Sequence, residues 1–353
     1  MHILARQLIN WYEVNHRSLP WRSTRDPYKI WLSEIILQQT RIDQGLPYYN
    51  RFLEVYPDLP SLARADLQDV LRLWQGLGYY SRARNMHRCA LMIVKEYKGR
   101  FPADYHSLIK LPGIGKYTAA AIASFAFGQN TPAIDGNVLR VISRLFGIHK
   151  DVYSAATQNM IKDIVQGIMP SKQPDLLNQS LMEFGALQCV PVSPRCTQCP
   201  LQTACDALKS GTVGELPVRN KKIKKKDRYF TYFVIEVDRR LILKQRQQRD
   251  IWEGLYDFYL VEDSRHITLE QTKDDIINTL LIENAVIEAE SGVFKHVLTH
   301  QVIYAVFYHI RTSSACIRQN LLEKGYNSYS LDEIERLPKP RLIQGYLESF
   351  HGL

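Results

Sequence analysis

The stretch LPGIGKYTAAAI, residues 111–122, decides the fold of this part of the chain. Gly113 and Gly115 allow a tight turn between two helices and let the backbone approach a ligand closely. The N–H groups at the start of the next helix, with the charge of Lys116, then face an anion such as a phosphate. A G-x-G pair alone also fits any helix–helix turn. The full string, followed by an alanine-rich helix, indicates a helix-hairpin-helix.

Around this hairpin the apolar residues follow helical spacing, with proline and glycine between the segments. We therefore expect residues 1–210 to be mostly helical. The clearest helices are predicted at residues 28–39, 66–75, 116–127 and 135–146.

The composition changes at GTVGELPVRNKKIKKKDR (211–228), where glycine and proline are followed by a run of lysines. This pattern is typical of an exposed basic linker. Beyond it, segments rich in β-branched and aromatic residues predict strands at 229–237, 241–246 and 302–310, and residues 267–283 predict an amphipathic helix. We expect a mostly α domain (1–214), a linker (215–228) and an α+β domain (229–353).

Length and charge restrict the class of protein. The chain has 353 residues, enough for two domains, and a formal net charge of +9. That charge favours a polyanionic partner, with nucleic acid ahead of an anionic membrane surface. The start of the chain lacks the apolar run of a secretory signal, and no stretch reaches the roughly 18 apolar residues of a membrane span. We expect a cytoplasmic protein, where thiols stay reduced.

Four of the six cysteines lie within seventeen residues, in the pattern C-x6-C-x2-C-x5-C. In a reducing compartment this spacing indicates a metal centre. A 4Fe–4S cluster is favoured, because prolines stiffen short irregular loops that can bring four thiolates together, while zinc ribbons more often use two C-x2-C pairs. The predicted ligands are Cys189, Cys196, Cys199 and Cys205, whereas Cys89 and Cys316 are expected to be buried or incidental thiols.

Two carboxylates are candidates for chemistry. Asp135, in PAIDGNVLR, suits the N-cap of a helix, which does not exclude a catalytic role in a cleft. Glu34 lies in the apolar run WLSEIILQQT, where burial would raise its pKa and keep it protonated nearer neutral pH. A solvated or salt-bridged helix glutamate is the alternative. Cleavage of an N-glycosidic bond needs one group to protonate the leaving base and another to stabilise a cationic sugar.

The hairpin, an aspartate twenty residues beyond it and the cysteine spacing together resemble the helix-hairpin-helix base-excision DNA glycosylases. Three further stretches closely resemble the adenine DNA glycosylases of the MutY type, over about residues 5–205. They are RSLPWR (17–22), DPYKIWLSEIILQQT (26–40) and LWQGLGYYSRARN (73–85).

The resemblance implies that Glu34 protonates adenine at N7 and then assists attack by water. It implies that Asp135 stabilises the oxocarbenium-like sugar, including through a transient covalent adduct, and that Tyr117 and Asn137 support the two carboxylates. Bifunctional relatives carry a Schiff-base lysine where this chain has Tyr117, and the adjacent Lys116 points about 100° away on a helix. A monofunctional glycosylase is therefore expected. The alternative enzyme is a bifunctional pyrimidine-lesion glycosylase with lyase activity.

The target base must leave the duplex for its N7 and glycosidic bond to be reached. The resemblance implies a base pocket and a wedge into the opposite strand, whereas Trp31 and Trp74 are expected to be core residues. The wedge residues are Gln39 and Tyr79, and the other predicted DNA and base contacts are Arg17, Trp21, Arg22, Leu37, Thr40, Ile42, Gly113, Gly115, Lys116 and Gln179.

The C-terminal part resembles the Nudix-like domain of these glycosylases at DIWEGLYDFYLVE (250–262). It lacks the glutamate-rich helix of a hydrolytic Nudix site, so we expect it to bind without hydrolysing. In the family it recognises 8-oxoguanine through a Phe-Ser-His loop. The corresponding residues here are Leu298, Thr299 and His300, with leucine in place of the aromatic residue.

The expected partner is double-stranded DNA in which adenine is mispaired with 8-oxoguanine or guanine. The chain is expected to act as a monomer with one 4Fe–4S cluster, and its setting to be the nucleoid of a bacterium. A catalytically silent DNA-binding or damage-sensing module is the alternative from another class. Such a module would keep all its function after Glu34→Gln.

Overall fold

A computed structural model describes residues 1–220, 225–247, 250–265, 286–312 and 321–349, without the side chains of 286–288. The chain forms two compact units. Met1–Arg64 and Asn85–Lys221 make the first, and Ala65–Arg84 and Lys222–Leu353 make the second. The segment 65–84, which the sequence groups with the helical domain, therefore belongs to the second unit.

The part of the chain up to residue 210 is helical, as predicted. The four segments with the clearest helical spacing correspond to α2, α5, α8 and α9. Within the described ranges, no helix combines the length and the apolar character needed to cross a membrane. The helices are α1 (Ile3–Asn15), α2 (Pro27–Leu37), α3 (Ile42–Val55), α4 (Leu59–Arg64), α5 (Leu67–Leu73), α6 (Ser81–Glu96), α7 (Tyr105–Leu108), α8 (Lys116–Phe125), α9 (Gly136–Leu145), α10 (Ala155–Ile168), α11 (Pro174–Leu187) and α12 (Asp206–Lys209).

The predicted hairpin joins α7 to α8. Gly113 has φ +75°, a left-handed conformation that side chains other than glycine rarely adopt. A Cβ placed there would lie 2.7 Å from the Cβ of Asn85, so the hairpin also has no space for one. Gly115 is the N-cap of α8, and Lys116 is the first residue of that helix and is exposed.

One hydrophobic core of the first unit lies between α1, α9, α10 and α11. Leu8, Val138, Val165 and Leu181 are fully buried there, one from each helix. Each contributes roughly 1.5–3 kcal/mol through removal of its side chain from water. This core fixes the starts of α9 and α11 relative to each other, and both helices carry residues of the site described below.

The second unit contains a mixed sheet whose main path runs β3-β2-β1-β7-β5. β1 and β7 are parallel, and the other pairs are antiparallel. The predicted strands correspond to β1, β2 and β7, whereas the predicted helix at 267–283 lies outside the described residues. The elements are β1 (Lys226–Val237), β2 (Arg240–Gln245), β3 (Tyr256–Asp257), β4 (Tyr259–Asp263), β5 (Val286–Glu290), β6 (Phe294–Val297), β7 (Gln301–Thr312), β8 (Asn327–Tyr329), α13 (Leu331–Arg336) and α14 (Arg341–Ser349).

The end of the predicted linker is wrong. β1 begins at Lys226, which pairs with Gln301 of β7. Arg228 is buried and not exposed, because Asp250 and Glu262 each accept hydrogen bonds from its guanidinium at 2.6–3.1 Å. A run of basic residues predicts exposure only when no carboxylates surround one of its members. Asp250 and Glu262 lie 22 and 34 residues further along the chain, so the run itself does not reveal them.

Candidate active site

The first unit contains a cavity of about 630 Å³ between helices α2, α8, α9 and α11. This volume is within the range of roughly 300–1,000 Å³ typical of small-ligand sites. Glu34, Tyr117, Asp135 and Asn137, the four residues predicted to act in catalysis, all line it. We call it the catalytic cavity.

Glu34 lies on α2 between buried apolar residues, as the sequence predicted. Burial raises the pKa of its carboxyl group to about 7, and the nearby charge of Asp135 adds to that rise. A hydrogen bond from Tyr117 and the positive charge of Arg22 oppose it. The carboxyl group can therefore hold a proton near neutral pH and give it to a bound base.

Asp135 is the N-cap of α9, and it also faces the catalytic cavity. Its carboxylate accepts hydrogen bonds from Val138 N at 2.8 Å and from Asn137 Nδ2 at 2.7 Å. Burial raises its pKa, while these donors and Arg140 favour the charged form. Asp135 thus has the hydrogen-bond donors that stabilise a carboxylate, and Glu34 in the same cavity has a pKa near neutral, which suits a charge stabiliser paired with an acid.

A chain of hydrogen bonds supports Asp135 from behind. Arg140 is buried on α9 and donates to Asn137 Oδ1 at 2.8 Å and to Gly185 O at 2.6 Å. Its Nε donates to the backbone carbonyl of Cys189 at 2.8 Å. Because Asn137 in turn donates to Asp135, the start of the cysteine loop and the carboxylate are joined through Arg140.

The base-pocket residues predicted by resemblance are brought together in the first unit. Gln179 is oriented by Tyr12, whose hydroxyl donates to its Oε1 at 2.8 Å. Gln39, a predicted wedge residue, is exposed just beyond α2 with φ +57°, a strained conformation that often accompanies function. The predicted residues that line the catalytic cavity are Arg17, Trp21, Arg22, Leu37, Gln39, Thr40, Ile42 and Gln179.

Two further residues of the site, Glu183 and Gly185 on α11, are not indicated by any sequence motif. Glu183 is fully buried and forms ion pairs with Arg17 and Arg22 in the wall of the cavity. A Cβ on Gly185 would lie 2.6 Å from the Cβ of Asn137, so α11 approaches Asn137 as closely as only glycine permits. The helical spacing of apolar residues in α11 predicts neither the ion pairs of Glu183 nor the close approach of Gly185 to Asn137.

In the second unit, the other wedge residue and the predicted lesion contact lie together. The hydroxyl of Tyr79 is hydrogen-bonded to the hydroxyl of Thr299, at the edge of a cavity of about 410 Å³ that His300 also lines. Tyr79 is exposed and has φ +47°. Thr299 and Leu298 follow β6, so the loop between β6 and β7 carries the predicted lesion-reading residues.

The loop before Tyr79 is held by Arg82. This buried side chain donates from Nη2 to the carbonyl oxygens of Leu77 and Gly78, both at 3.2 Å. Its guanidinium carbon lies 4.9 Å from the ring centroid of Trp74 and 5.7 Å from that of Tyr79. Trp74 is fully buried, as predicted, and so is Trp31 in the first unit.

The four clustered cysteines line one small cavity beside α9 and the end of α11. Two donors point at their sulfurs: Arg144 Nη1 lies 3.4 Å from Cys189 Sγ, and Leu201 N lies 3.4 Å from Cys199 Sγ. Among the residues that the structure describes, no three His, Cys, Asp or Glu side chains are grouped to hold a single metal ion. Cys89 is buried, as expected, whereas Cys316 falls outside those residues.

Each of the two units matches a known protein family. A family profile described as HhH-GPD superfamily base excision DNA repair protein matches residues 32–166, and a NUDIX domain profile matches residues 231–349. Among solved structures, a thermostable thymine-DNA glycosylase has a TM-score of 0.54 and 27% identity, covering 59% of this chain and 96% of its own. A non-covalent Endonuclease III–DNA complex, at 24% identity, has a TM-score of 0.52 over 59% of this chain and 94% of its own, and shows the fold alone.

Curated relatives extend the match beyond the fold. An adenine DNA glycosylase of Mus musculus is 41% identical over 224 residues, which is 60% of this chain and 44% of the mouse protein. The adenine DNA glycosylase of Buchnera aphidicola subsp. Acyrthosiphon pisum is 33% identical over 350 residues, covering 99% of this chain and 98% of the relative. A match of this identity along nearly the whole of both chains shows that this protein belongs to the adenine DNA glycosylases, which are DNA N-glycosylases of the helix-hairpin-helix base-excision repair superfamily.

Proposed function

We propose that this enzyme removes adenine mispaired with 8-oxoguanine, and with guanine, from double-stranded DNA. The observation that carries the proposal is that Glu34, whose pKa is raised to about 7, and Asp135, which accepts two hydrogen bonds, line one cavity of about 630 Å³. Adenine is a neutral ring with a basic N7, so protonation there makes it a better leaving group.

In this mechanism the adenine nucleotide is flipped out of the duplex into the catalytic cavity. Glu34 gives its proton to N7, and the C1′–N9 bond breaks with its electron pair passing to the base. Asp135 stabilises the positive charge left on the sugar, including through a transient bond to C1′. Glu34, now a carboxylate, accepts a proton from the water that adds to C1′. The products are free adenine and an abasic site.

The enzyme is proposed to be monofunctional and to act as a monomer. Strand cleavage by a lyase requires an amine that forms a Schiff base with the sugar, which the hydroxyl of Tyr117 cannot do. Lys116 precedes it in α8 and is exposed, while Tyr117 is the residue that lines the cavity. Borohydride trapping on lesion DNA separates this proposal from the bifunctional alternative. Efficient covalent trapping would support the lyase.

Recognition of the opposite base is assigned to the second unit. Tyr79 supplies an aromatic ring that can wedge between bases, and Thr299, bonded to it, supplies a hydroxyl that can both donate and accept. Leu298 lies where the resemblance places an aromatic residue. Leucine can still make apolar contact with the opposite base, but it cannot stack a ring on it. Replacing Thr299 with Val keeps the shape and removes the hydroxyl. The expected result is weaker discrimination between 8-oxoguanine and guanine.

The four cysteines are proposed to hold one 4Fe–4S cluster per chain. Such a cluster takes one thiolate at each of four irons, so it fits four thiols around a shared cavity with N–H donors to two sulfurs. Zinc would require the same four sulfurs around one ion. The cluster would order the loop 189–205, with Arg195 between the ligands available to a phosphate. Iron and sulfide analysis of the purified chain distinguishes the two, and a Cys199→Ser protein that folds and binds DNA tightly but is inactive would contradict this structural role.

The direct test of the mechanism is Glu34→Gln. This change keeps the size of the side chain but removes the proton that it donates. We expect adenine release from an 8-oxoguanine:adenine duplex to fall by roughly 10²–10⁴-fold while duplex binding is retained. Undiminished adenine release would show that Glu34 is not the acid. A catalytically silent DNA-binding module would likewise keep all its function after this change.

A further inference from the structure

Glu183 is a carboxylate that the mechanism above does not use. It lies on α11 and is fully buried, yet it is charged, since its arginine partners lower its pKa to about 2. Arg17 donates to it from its backbone N at 3.0 Å, from Nε at 2.7 Å and from Nη2 at 2.9 Å. Arg22 donates from Nη2 at 2.6 Å. Four hydrogen bonds therefore occupy both carboxylate oxygens.

The two arginines form part of the wall of the catalytic cavity. A guanidinium group is planar, so fixing Nη2 of Arg22 on Glu183 also fixes the direction of its Nη1. Among the described residues that buried Nη1 has no hydrogen-bond partner. Glu183 therefore determines where a donor of the pocket points, although it need not touch the base.

Glu183 also balances charge beside the catalytic acid. Arg22 is the cation that acts on Glu34, where its charge favours the ionised and inactive form of the carboxyl group. The other charged or titratable groups that face Glu34 are Tyr117 and Asp135. Glu183 faces Arg17 and Arg22, and its charge also reaches Tyr12. The carboxylate of Glu183 forms an ion pair with Arg22 in the wall of the cavity.

We infer that Glu183 is a positioning residue for adenine release: it holds Arg17 and Arg22 in the wall of the catalytic cavity and offsets their charge so that Glu34 keeps its proton. This inference rests on the proposed function and deepens it. It differs from a purely structural ion pair in one respect, since removing the charge of Glu183 without changing its shape must change the pH dependence of the reaction.

Glu183→Gln removes the charge of the side chain and keeps its shape. Single-turnover adenine release from an 8-oxoguanine:adenine duplex is then followed from about pH 5 to pH 9. The unbalanced charge of Arg22 should favour ionised Glu34. The pH at which the rate falls to half should then move down by about half a unit or more, and the rate at pH 7.5 should fall roughly tenfold. Glu183→Asp restores the charge and should recover the wild-type midpoint at a lower rate.

The matched control is Asp175→Asn. Asp175 lies on the same helix and pairs with Arg25 at 3.4 Å, but that arginine is exposed and neither residue lines the catalytic cavity. Its pH midpoint and rate should equal those of the wild type. Arg22→Lys adds a second variant that leaves Glu183 unchanged. It keeps the positive charge but loses the planar fork, so the rate should fall while the midpoint stays.

Each outcome bears on the inference. A Glu183→Gln protein with the wild-type midpoint overturns it, whether its rate is unchanged or lowered equally at every pH. If that variant fails to fold, Glu183→Asp and Arg22→Lys remain, and a midpoint that departs from the wild-type value in either of them also overturns it. Failure of the proposed function is distinct, because the wild-type protein would then release no adenine at all.

Discussion

Asn137 donates a hydrogen bond from Nδ2 to Asp135 Oδ2 at 2.7 Å, at the first turn of α9. The same asparagine accepts from Arg140, which is anchored on the carbonyl oxygens of Gly185 and Cys189. The side chain of Asp135 is therefore held by an asparagine that is itself held from two other parts of the chain. Rigid donors of this kind stabilise charge without reorganising during the reaction.

Asn137→Ala removes this donor from Asp135. A hydrogen bond to a charged group contributes about 1.5–3 kcal/mol, so the single-turnover rate of adenine release should fall roughly 10- to 100-fold. Binding of the substrate duplex should change little, because the other residues that line the catalytic cavity are unchanged. Asn130→Ala is the control, since this exposed asparagine lies in the loop before Asp135 and bonds to Pro170 O. An unchanged rate in Asn137→Ala would show that the bond has no catalytic effect.

The rate should depend on pH through Glu34. Its pKa is raised to about 7, so the protonated form that gives its proton to adenine is present below that value and is lost as the pH rises through it. The single-turnover rate should therefore be high near pH 6 and decline above about pH 7. A rate that increases steadily from pH 6 to pH 9 would contradict the assignment of Glu34 as the acid.

Gly185→Ala should displace Asn137. The added Cβ would lie 2.6 Å from the Cβ of Asn137 and 3.0 Å from its carbonyl oxygen, so α9 and α11 must separate at the catalytic residues. Overpacking of this kind costs about 1–3 kcal/mol, and the melting temperature and the rate of adenine release should both fall.

Gly167→Ala is the matched control for that change. Gly167 also lies inside a helix, α10, but its added Cβ would meet nothing within 4 Å. Alanine is preferred over glycine in helices, so this variant should be as stable as the wild type or more stable by up to about 1 kcal/mol. Equal destabilisation by the two changes would show that the close approach at Gly185 is not the cause.

Arg82→Lys tests how the loop before Tyr79 is held. Lysine keeps the charge but cannot reproduce the planar contact with Trp74 or the paired hydrogen bonds to Leu77 and Gly78. Affinity for an 8-oxoguanine:adenine duplex, measured by fluorescence anisotropy, should fall roughly tenfold. Arg72→Lys, an exposed change on α5, should leave the affinity as it is. Equal affinities for the two variants would show that Arg82 does not position this loop for DNA binding.

The residues of the catalytic cavity could be predicted from the sequence where they lie in a short local motif. Glu34 lies within an apolar helix, and the hairpin needs glycine at a left-handed position, so short stretches were sufficient for both. Asp135 was predicted both as an N-cap and as a catalytic residue, and it is an N-cap that faces the cavity. The two interpretations are compatible because one carboxylate oxygen accepts from Val138 N while the other accepts from Asn137.

What the sequence could not indicate depends on contacts between distant segments. Glu183 meets Arg17 across 166 residues, and no local pattern distinguishes it from an ordinary helix glutamate. Arg228 was expected in an exposed linker because its neighbours are lysines, yet it is buried among carboxylates from two later segments. The inclusion of residues 65–84 in the second unit likewise depends on packing that helical periodicity does not report.

The central claim is that Glu34 and Asp135 release adenine chosen by the base opposite it. The most direct measurement is adenine release by the wild-type chain from four duplexes, with adenine opposite 8-oxoguanine, guanine, cytosine or thymine. The account predicts release from the first two duplexes, fastest with 8-oxoguanine, and none above background from the cytosine and thymine duplexes. Equal release from all four, or excision of a damaged pyrimidine in place of adenine, would contradict it.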